Sequence, residues 1–263
     1  MPIRAVESRR LYRQIADQLS MLIASHEFAE GARLPSERDL AMQLGVSRPS
    51  VREALIALEI EGKVEVRVGS GIYVVPQRLM PVAGPTSEGQ GPFELLRARW
   101  LIEGEVAAEA ARKAEPKDLS VVRAAFEDMQ RRQRQQIDVD PADRDFHLGI
   151  ARATRNSALA YVVRDLWDKG RGAIWKRMED HFQTPELRAA SLRDHRAILV
   201  ALESRDSRAA RSAMRMHLAR VESEFNRGWD RLKERDLGTP AKPKKKDVAV
   251  ATSLRRPAAG LIV

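Results

Sequence analysis

RLPSERDLAMQLGVSRPSVREALIALEIEGKVEVRVGSGIYVV, residues 33–75, is the stretch from which the fold can be read. Ser36 stands ahead of Glu37-Arg38-Asp39 and offers an N-cap hydroxyl with acidic residues in the first turn, so a short helix is expected to start there. Leu40, Ala41 and Leu44 share one face of it, and Gly45 can take the positive φ that ends it. Ser47 then caps a second helix that tolerates Pro49, because first-turn amides have no intrahelical acceptor. Val51, Ala54, Leu55 and Leu58 form its buried stripe, which leaves Arg48, Ser50 and Arg52 facing outward near its N-terminal end. After Gly62, the alternation Val64 to Val68 predicts a strand, Gly69-Ser70-Gly71 a tight turn and Ile72 to Val75 the returning strand. This is a helix-turn-helix with a two-stranded wing tipped by Arg67 and the glycines, and the N-terminal end of the second helix is the part that reaches base edges and phosphates.

A helix-turn-helix pattern alone is often an αα-corner, and surface arginines are usually solvated. Here cap, turn glycine, outward arginines and wing follow one another in the order that DNA recognition needs. Bulk charge is not the driving term, since residues 1–75 hold ten basic and ten acidic side chains. Specific affinity then rests on a few placed cations, with each bidentate arginine–guanine contact supplying roughly 1–3 kcal/mol of discrimination.

With 263 residues, 43% of them apolar, the chain can build two ordinary domains. It has no cysteine, hence no disulfide and no thiolate metal site, as suits a reducing cytoplasm. The N-terminus MPIRAVESRR lacks an apolar core, and no run approaches about 18 uncharged apolar residues, so a soluble, cytoplasmic protein without a membrane partner is expected. Much of the net charge of +9 comes from residues 237–263, where six lysines and arginines face Asp247 alone. That Pro-, Ala- and Lys-rich tail, within 235–263, reads as disordered. It is either a source of nonspecific phosphate contacts or a solvated extension. Residues 76–92, rich in Pro and Gly, read as a linker between a DNA-binding domain (1–75) and a second domain (93–234). The second domain shows no strand signal, only about seven helical stretches: 93–113, 117–136, 140–154, 157–171, 172–182, and two bounded by Thr184-Pro185 and Asp206-Ser207. The fold class is therefore mainly α, a winged helix followed by an all-α bundle.

Three of the five histidines fall where helices of that bundle could bring them together. Asp143 and His147 are four residues apart and project from one helix face, His195 lies on the sixth helix of the bundle and His217 on the seventh. An aspartate and three imidazoles make a nitrogen- and oxygen-rich set that suits Zn, Mn, Ni or Fe. By spacing alone, each histidine could equally be a satisfied core or surface residue.

The segment from Leu11 to Val75, with its YRQIADQLSMLI helix, LPSERDLA run and GVSRPSVREALIALEIEG segment, resembles the winged helix of the GntR family of bacterial regulators. The resemblance implies DNA contacts from Arg38, Ser47, Arg48, Ser50 and Arg52, with Gly69 and Gly71 in the wing, and homodimers on short palindromic operators. ELLRARWLIEGEVAAEAA, DRDFHLGIARATRN, DHRAILVALESRD and AMRMHLARV together resemble the FCD effector domain of FadR-type members. That likeness implies a divalent metal, zinc foremost, held by Asp143, His147, His195 and His217. It also implies a small carboxylate effector bound near the metal, with Arg99, Asn156 and Trp175 as effector-binding residues. FELLRARWLIE and LWDKGRGAIWKRMEDH are most similar to hexuronate-responsive repressors of sugar-acid catabolism, and place Lys176 and His181 near the pocket as well. An arginine would grip a carboxylate bidentately. For Arg99 the competing role is an i,i+4 ion pair with Glu103, worth about 0.3–0.5 kcal/mol if exposed. Two other classes compete with a ligand-responsive repressor: a metallohydrolase on the same four residues, though no HExxH or other free general base accompanies them, and an architectural DNA binder that relies on the basic tail.

Overall fold

The computed structural model describes residues 10–67, 70–76 and 89–234, with side chains to residue 229. Three helices, α1 (Leu11–Ala24), α2 (Glu37–Leu44) and α3 (Arg48–Ile60), precede two strands, β1 (Val64–Arg67) and β2 (Gly71–Val74). The local chemistry is as expected. Ser36 Oγ accepts the Asp39 N–H at 3.2 Å and Ser47 Oγ the Ser50 N–H at 3.3 Å, while Gly45 sits at φ 66° and turns the chain. The strands pair antiparallel with Val64 opposite Val74 and Val66 opposite Ile72, which sends those four apolar side chains inward. Val68 and Gly69 of the expected strand and turn lie outside the described residues, as do most of the expected linker (77–88) and the tail from residue 235.

Among the described residues seven further helices form the second domain: α4 (Pro92–Lys113), α5 (Pro116–Arg134), α6 (Asp140–Ala153), α7 (Ser157–Gly170), α8 (Ala173–Phe182), α9 (Pro185–Glu203) and α10 (Ser207–Glu234). α4 is the central member and packs on α6, α7, α9 and α10. Ala107, Ala110 and Ala111 bring its neighbours close, and a Cβ at Gly104 would meet the Arg215 side chain of α10 at 2.8 Å. None of these helices is long and apolar enough to cross a membrane.

The surroundings of α3 depart from expectation. Residues 51–59 are buried on every side, because α1, α2 and β1 cover one flank and α8 of the bundle covers another. Arg52 is therefore not an outward-facing side chain: at 3% exposure it binds Glu37 at 2.6 Å and reaches Asn226 on α10. Pattern alone shows the stripe that packs inside the winged helix but not a second domain folding against its other faces.

Glu53 also joins the domains. Its carboxylate accepts the Phe93 N–H at 2.9 Å, at the first turn of α4, where helix amides have no other acceptor. It lies so near Gly91 that an added Cβ there would overlap it. Burial, reinforced by Glu94 and opposed by the Phe93 amide, pushes the Glu53 carboxyl up to about 7. A carboxyl raised in the folded state stabilises the fold below its ordinary pKa of 4.5, and this contribution is lost as pH rises through 7. Glu53→Gln keeps an acceptor without the charge. It is expected to raise unfolding stability at pH 8 by on the order of 2–3 kcal/mol and to change it little at pH 4. Urea melts of both proteins across that range check this, and parallel pH profiles would contradict it.

Candidate metal centre and ligand cavity

Asp143 and His147 on α6, His195 on α9 and His217 on α10 each offer one ligand atom, and all four atoms lie within 4.8 Å of one another. The three imidazoles are 1–3% exposed. Their tautomers follow from their partners. His195 Nδ1–H donates to the Ser191 carbonyl at 2.8 Å, which turns Nε2 toward Asp143 Oδ1 at 2.9 Å. His147 Nδ1–H donates to Glu103, leaving Nε2 3.4 Å from both Asp143 Oδ1 and His195 Nε2. Asp143 Oδ1 and His217 Nδ1 are buried without a hydrogen-bond partner, and Asp143 Oδ1 stands 2.9 Å from His195 Nε2.

Four convergent ligand atoms, two of them buried without a hydrogen-bond partner, fit a cation. The electrostatics point the same way. Burial alone would raise the Asp143 pKa, but His195 and His147 hold it well below the usual carboxylate range. Burial, with His195 and His147, depresses His217 well below its ordinary value, so it is neutral, as a ligand imidazole must be. His147 is raised against its own burial by Glu103 and Asp143: the centre draws positive charge. Glu103 lies behind His147, fully buried and held at about 2 because Arg99 and His147 outweigh its desolvation. A carboxylate on the far nitrogen of a ligand imidazole orients the ring and raises its basicity.

The centre opens on a cavity lined by Arg171, Trp175, Glu179 and Arg188, together with His195 and His217. Arg171 donates to Asp140 at 2.6 Å, Glu179 at 3.0 Å and Asp143 at 3.4 Å, with its guanidinium over the Trp167 and Trp175 rings. Trp175 Nε1 is a buried donor without an acceptor. Burial, and then their mutual repulsion, raises Glu179; burial likewise raises Asp140, against the pull of Arg171.

The structure brings together the four expected ligands and, of the expected effector residues, Trp175. Arg99 is not at the cavity. It lies behind His147, 3.9 Å from the Trp167 ring centroid and paired with Glu103, because α4 runs through the middle of the bundle and buries both partners. Asn156 caps α7, accepting the Ala158 N–H at 3.0 Å, and borders a separate surface depression with Arg152 and Arg164. Lys176 is exposed and faces Asp180, and His181 Nε2 meets Glu59 of α3 at 2.7 Å instead of the pocket. In the winged helix, Arg38 is exposed, Ser47 and Ser50 bond each other, and half-exposed Arg48 shares the buried Glu37 carboxylate with Arg52. Gly71 stands at φ 116°, and Gly69 lies outside the described residues. Residues not anticipated at these sites are Glu103, Arg171, Glu179, Glu37, Asn226 and Trp229. Of these, Arg171 in the Gly-Arg-Gly break between α7 and α8 carried the clearest signal, a lone cation at a helix junction beside two tryptophan-bearing helices.

Comparison with known proteins agrees with this architecture. Residues 11–74 match the bacterial regulatory proteins of the gntR family, and residues 94–220 match the FCD domain. The chain is 38% identical to the Uxu operon transcriptional regulator of Escherichia coli K12 over 84% of its own length and 89% of that protein. It is 41% identical to the Exu regulon transcriptional regulator of the same strain, over 81% and 83% of the two chains. With the Uxu operon regulator of Haemophilus influenzae it shares 35% identity, covering 81% of this chain and 80% of that one. The winged helix, the helical domain and these relatives place the chain in the GntR family of bacterial regulatory proteins, in the group that carries an FCD domain.

Proposed function

We propose that this protein is a metal-dependent sensor of a hexuronate that controls transcription of sugar-acid catabolism, acting in the cytoplasm as a homodimer on a palindromic operator. The observation that carries this reading is a cavity where an aspartate and three buried histidines meet two arginines and a tryptophan, in a chain whose relatives are named Uxu and Exu regulators. Asp143, His147, His195 and His217 would hold the ion, zinc foremost with Mn, Ni and Fe as alternatives, and Glu103 would fix His147. A bound divalent ion supplies Lewis acidity that attracts a carboxylate or hydroxyl oxygen.

The chain's own residues do the rest. Arg171 and Arg188 supply the planar donors that pair bidentately with a carboxylate. Glu179 and Asp140 accept from sugar hydroxyls, and Trp175 covers an apolar ring face and offers its indole N–H. DNA contacts fall to Arg38, Ser47, Arg48, Ser50 and Arg52, with the wing glycines Gly69 and Gly71 letting the tip approach the backbone.

Three outcomes are expected. In thermal melts of chelator-stripped protein, zinc followed by D-glucuronate, D-galacturonate or their keto isomers raises the transition, by about 2.7 kcal/mol at 100 times Kd, and EDTA removes the hexuronate effect. A hexuronate shift indifferent to EDTA would contradict the metal's role. Glu103→Gln weakens zinc binding about 10- to 100-fold by calorimetric titration without removing a ligand; an unchanged affinity would show that Glu103 does not orient His147. Arg48→Ala abolishes selection of a specific duplex from a random pool yet keeps the hexuronate shift, whereas His195→Ala does the reverse. Loss of both activities in either folded variant would refute the division of roles.

A further inference from the structure

We propose that the basic segment that follows α10, from Lys242 to Arg256, contacts the phosphate backbone of DNA flanking the site read by α3. The inference rests on the DNA-binding reading above and adds to it a second contact surface that is indifferent to base sequence.

The course of α10 carries the argument. This helix presents His217 to the metal centre and further on reaches the winged helix, where Asn226 accepts from Arg52 and the Trp229 ring centroid lies 5.9 Å from the same guanidinium. Trp229 also borders a surface cleft with Arg33, Ser36 and Glu37 at the start of α2 and with Gly71 of the wing. Next to these residues stand the exposed side chains of Arg38, Ser47 and Arg48, placed by resemblance at the DNA. α10 continues to Glu234, and at about 1.5 Å of rise per residue it ends roughly 8 Å beyond Trp229. The chain that follows therefore starts beside the reading face.

Charge identifies the partner. Lys242, Lys244, Lys245 and Lys246 form a cluster, Arg255 and Arg256 follow, and Asp247 is the one acidic residue of 237–263. The winged helix has no such surplus: residues 1–75 hold ten side chains of each sign, and Arg13, Arg48 and Arg52 are engaged by Glu61 and Glu37. Duplex DNA carries one charge per about 1.7 Å of axis, and each phosphate that a protein neutralises releases counterions, a term that a neutral reading domain gains little of and the basic segment can supply. Reach agrees with this assignment. An extended chain spans at most about 3.3–3.6 Å per residue, so the lysine cluster can lie up to roughly 25–45 Å from the end of α10, or about 8–13 base-pair steps along the duplex. A cation cluster tethered that near to bound DNA meets it at a high effective concentration.

The test compares the full chain with a variant carrying Lys242→Gln, Lys244→Gln, Lys245→Gln and Lys246→Gln, and with a chain ending at Asp236, changes that leave every residue of the winged helix and bundle in place. Duplex affinity is measured by anisotropy from about 50 to 200 mM salt, on a short duplex that the full chain selects from a random pool and on the same duplex extended by about 13 base pairs on each side. On the extended duplex the slope of log affinity against log salt is expected to be shallower in the lysine variant by about 3–4 for each segment engaged, with the order of preference among duplex sequences unchanged. On the short duplex the proteins are expected to differ by less than about 1 in slope. Equal slopes on the extended duplex overturn the proposal, whether the variants then melt at a lower temperature, which would put the segment on the protein's own surface, or lose binding to phosphatidylglycerol vesicles, which would put it on a membrane. A difference as large on the short duplex overturns the placement on flanking DNA. Failure of the full chain to select any duplex falls instead on the functional reading, because slopes on an arbitrary long duplex still report the segment's phosphate contacts.

Discussion

A carboxylate and three imidazoles taken out of water, with two of their polar atoms left unpaired, set the terms for the whole bundle. An unsatisfied buried polar atom costs about 1–3 kcal/mol, and an ionised one more. α6, α9 and α10 converge to present these groups to one point, and α4 contributes Glu103 behind His147, itself neutralised by Arg99. Such a set is stable in an apolar shell of Phe146 and Trp167 when positive charge resides at its centre. A divalent ion would meet that demand and, on the proposed reading, would also attract an acidic ligand in the adjoining cavity.

The second constraint is geometric. α8 and α10 each have a face toward the cavity and a face toward α3, so neither helix can shift at one without shifting at the other. Interfaces packed this closely occupy discrete arrangements and do not deform continuously. Glu59 and Arg52, both charged and both buried, keep bundle partners on α8 and α10 respectively.

Much of this is legible in the chain because it is local. Ser36 and Ser47 as caps, Gly45 at positive φ and the Val64 to Val66 alternation each depend on a few neighbouring residues, and the same holds for Asp143 and His147 on one face of α6. Residues whose roles come from distant chain are the ones that pattern misreads. Arg52 looks like an outward cation until α10, 174 residues away, is placed on it. Arg99 and Glu103 have the spacing of an exposed helix pair, and spacing does not report that α4 is the central helix. Asn156 is locally readable as an N-cap, since it precedes Ser157 at a helix break, yet its polarity also suits ligand binding, and only the fold separates the two. Trp175 lines the cavity, whereas Arg171, the cation beside it, stands in a turn where helical periodicity has nothing to say.

Linkage offers the most direct test of the proposed coupling between a hexuronate site and a DNA site. The Kd for the hexuronate is measured calorimetrically with the zinc-loaded protein alone and again with the protein saturated by its selected duplex. The account predicts weaker hexuronate binding to the duplex complex, at least about fivefold, by the same factor as the hexuronate weakens duplex binding. Equal hexuronate affinity in the two states would contradict it, because two sites with no coupling free energy cannot form a switch.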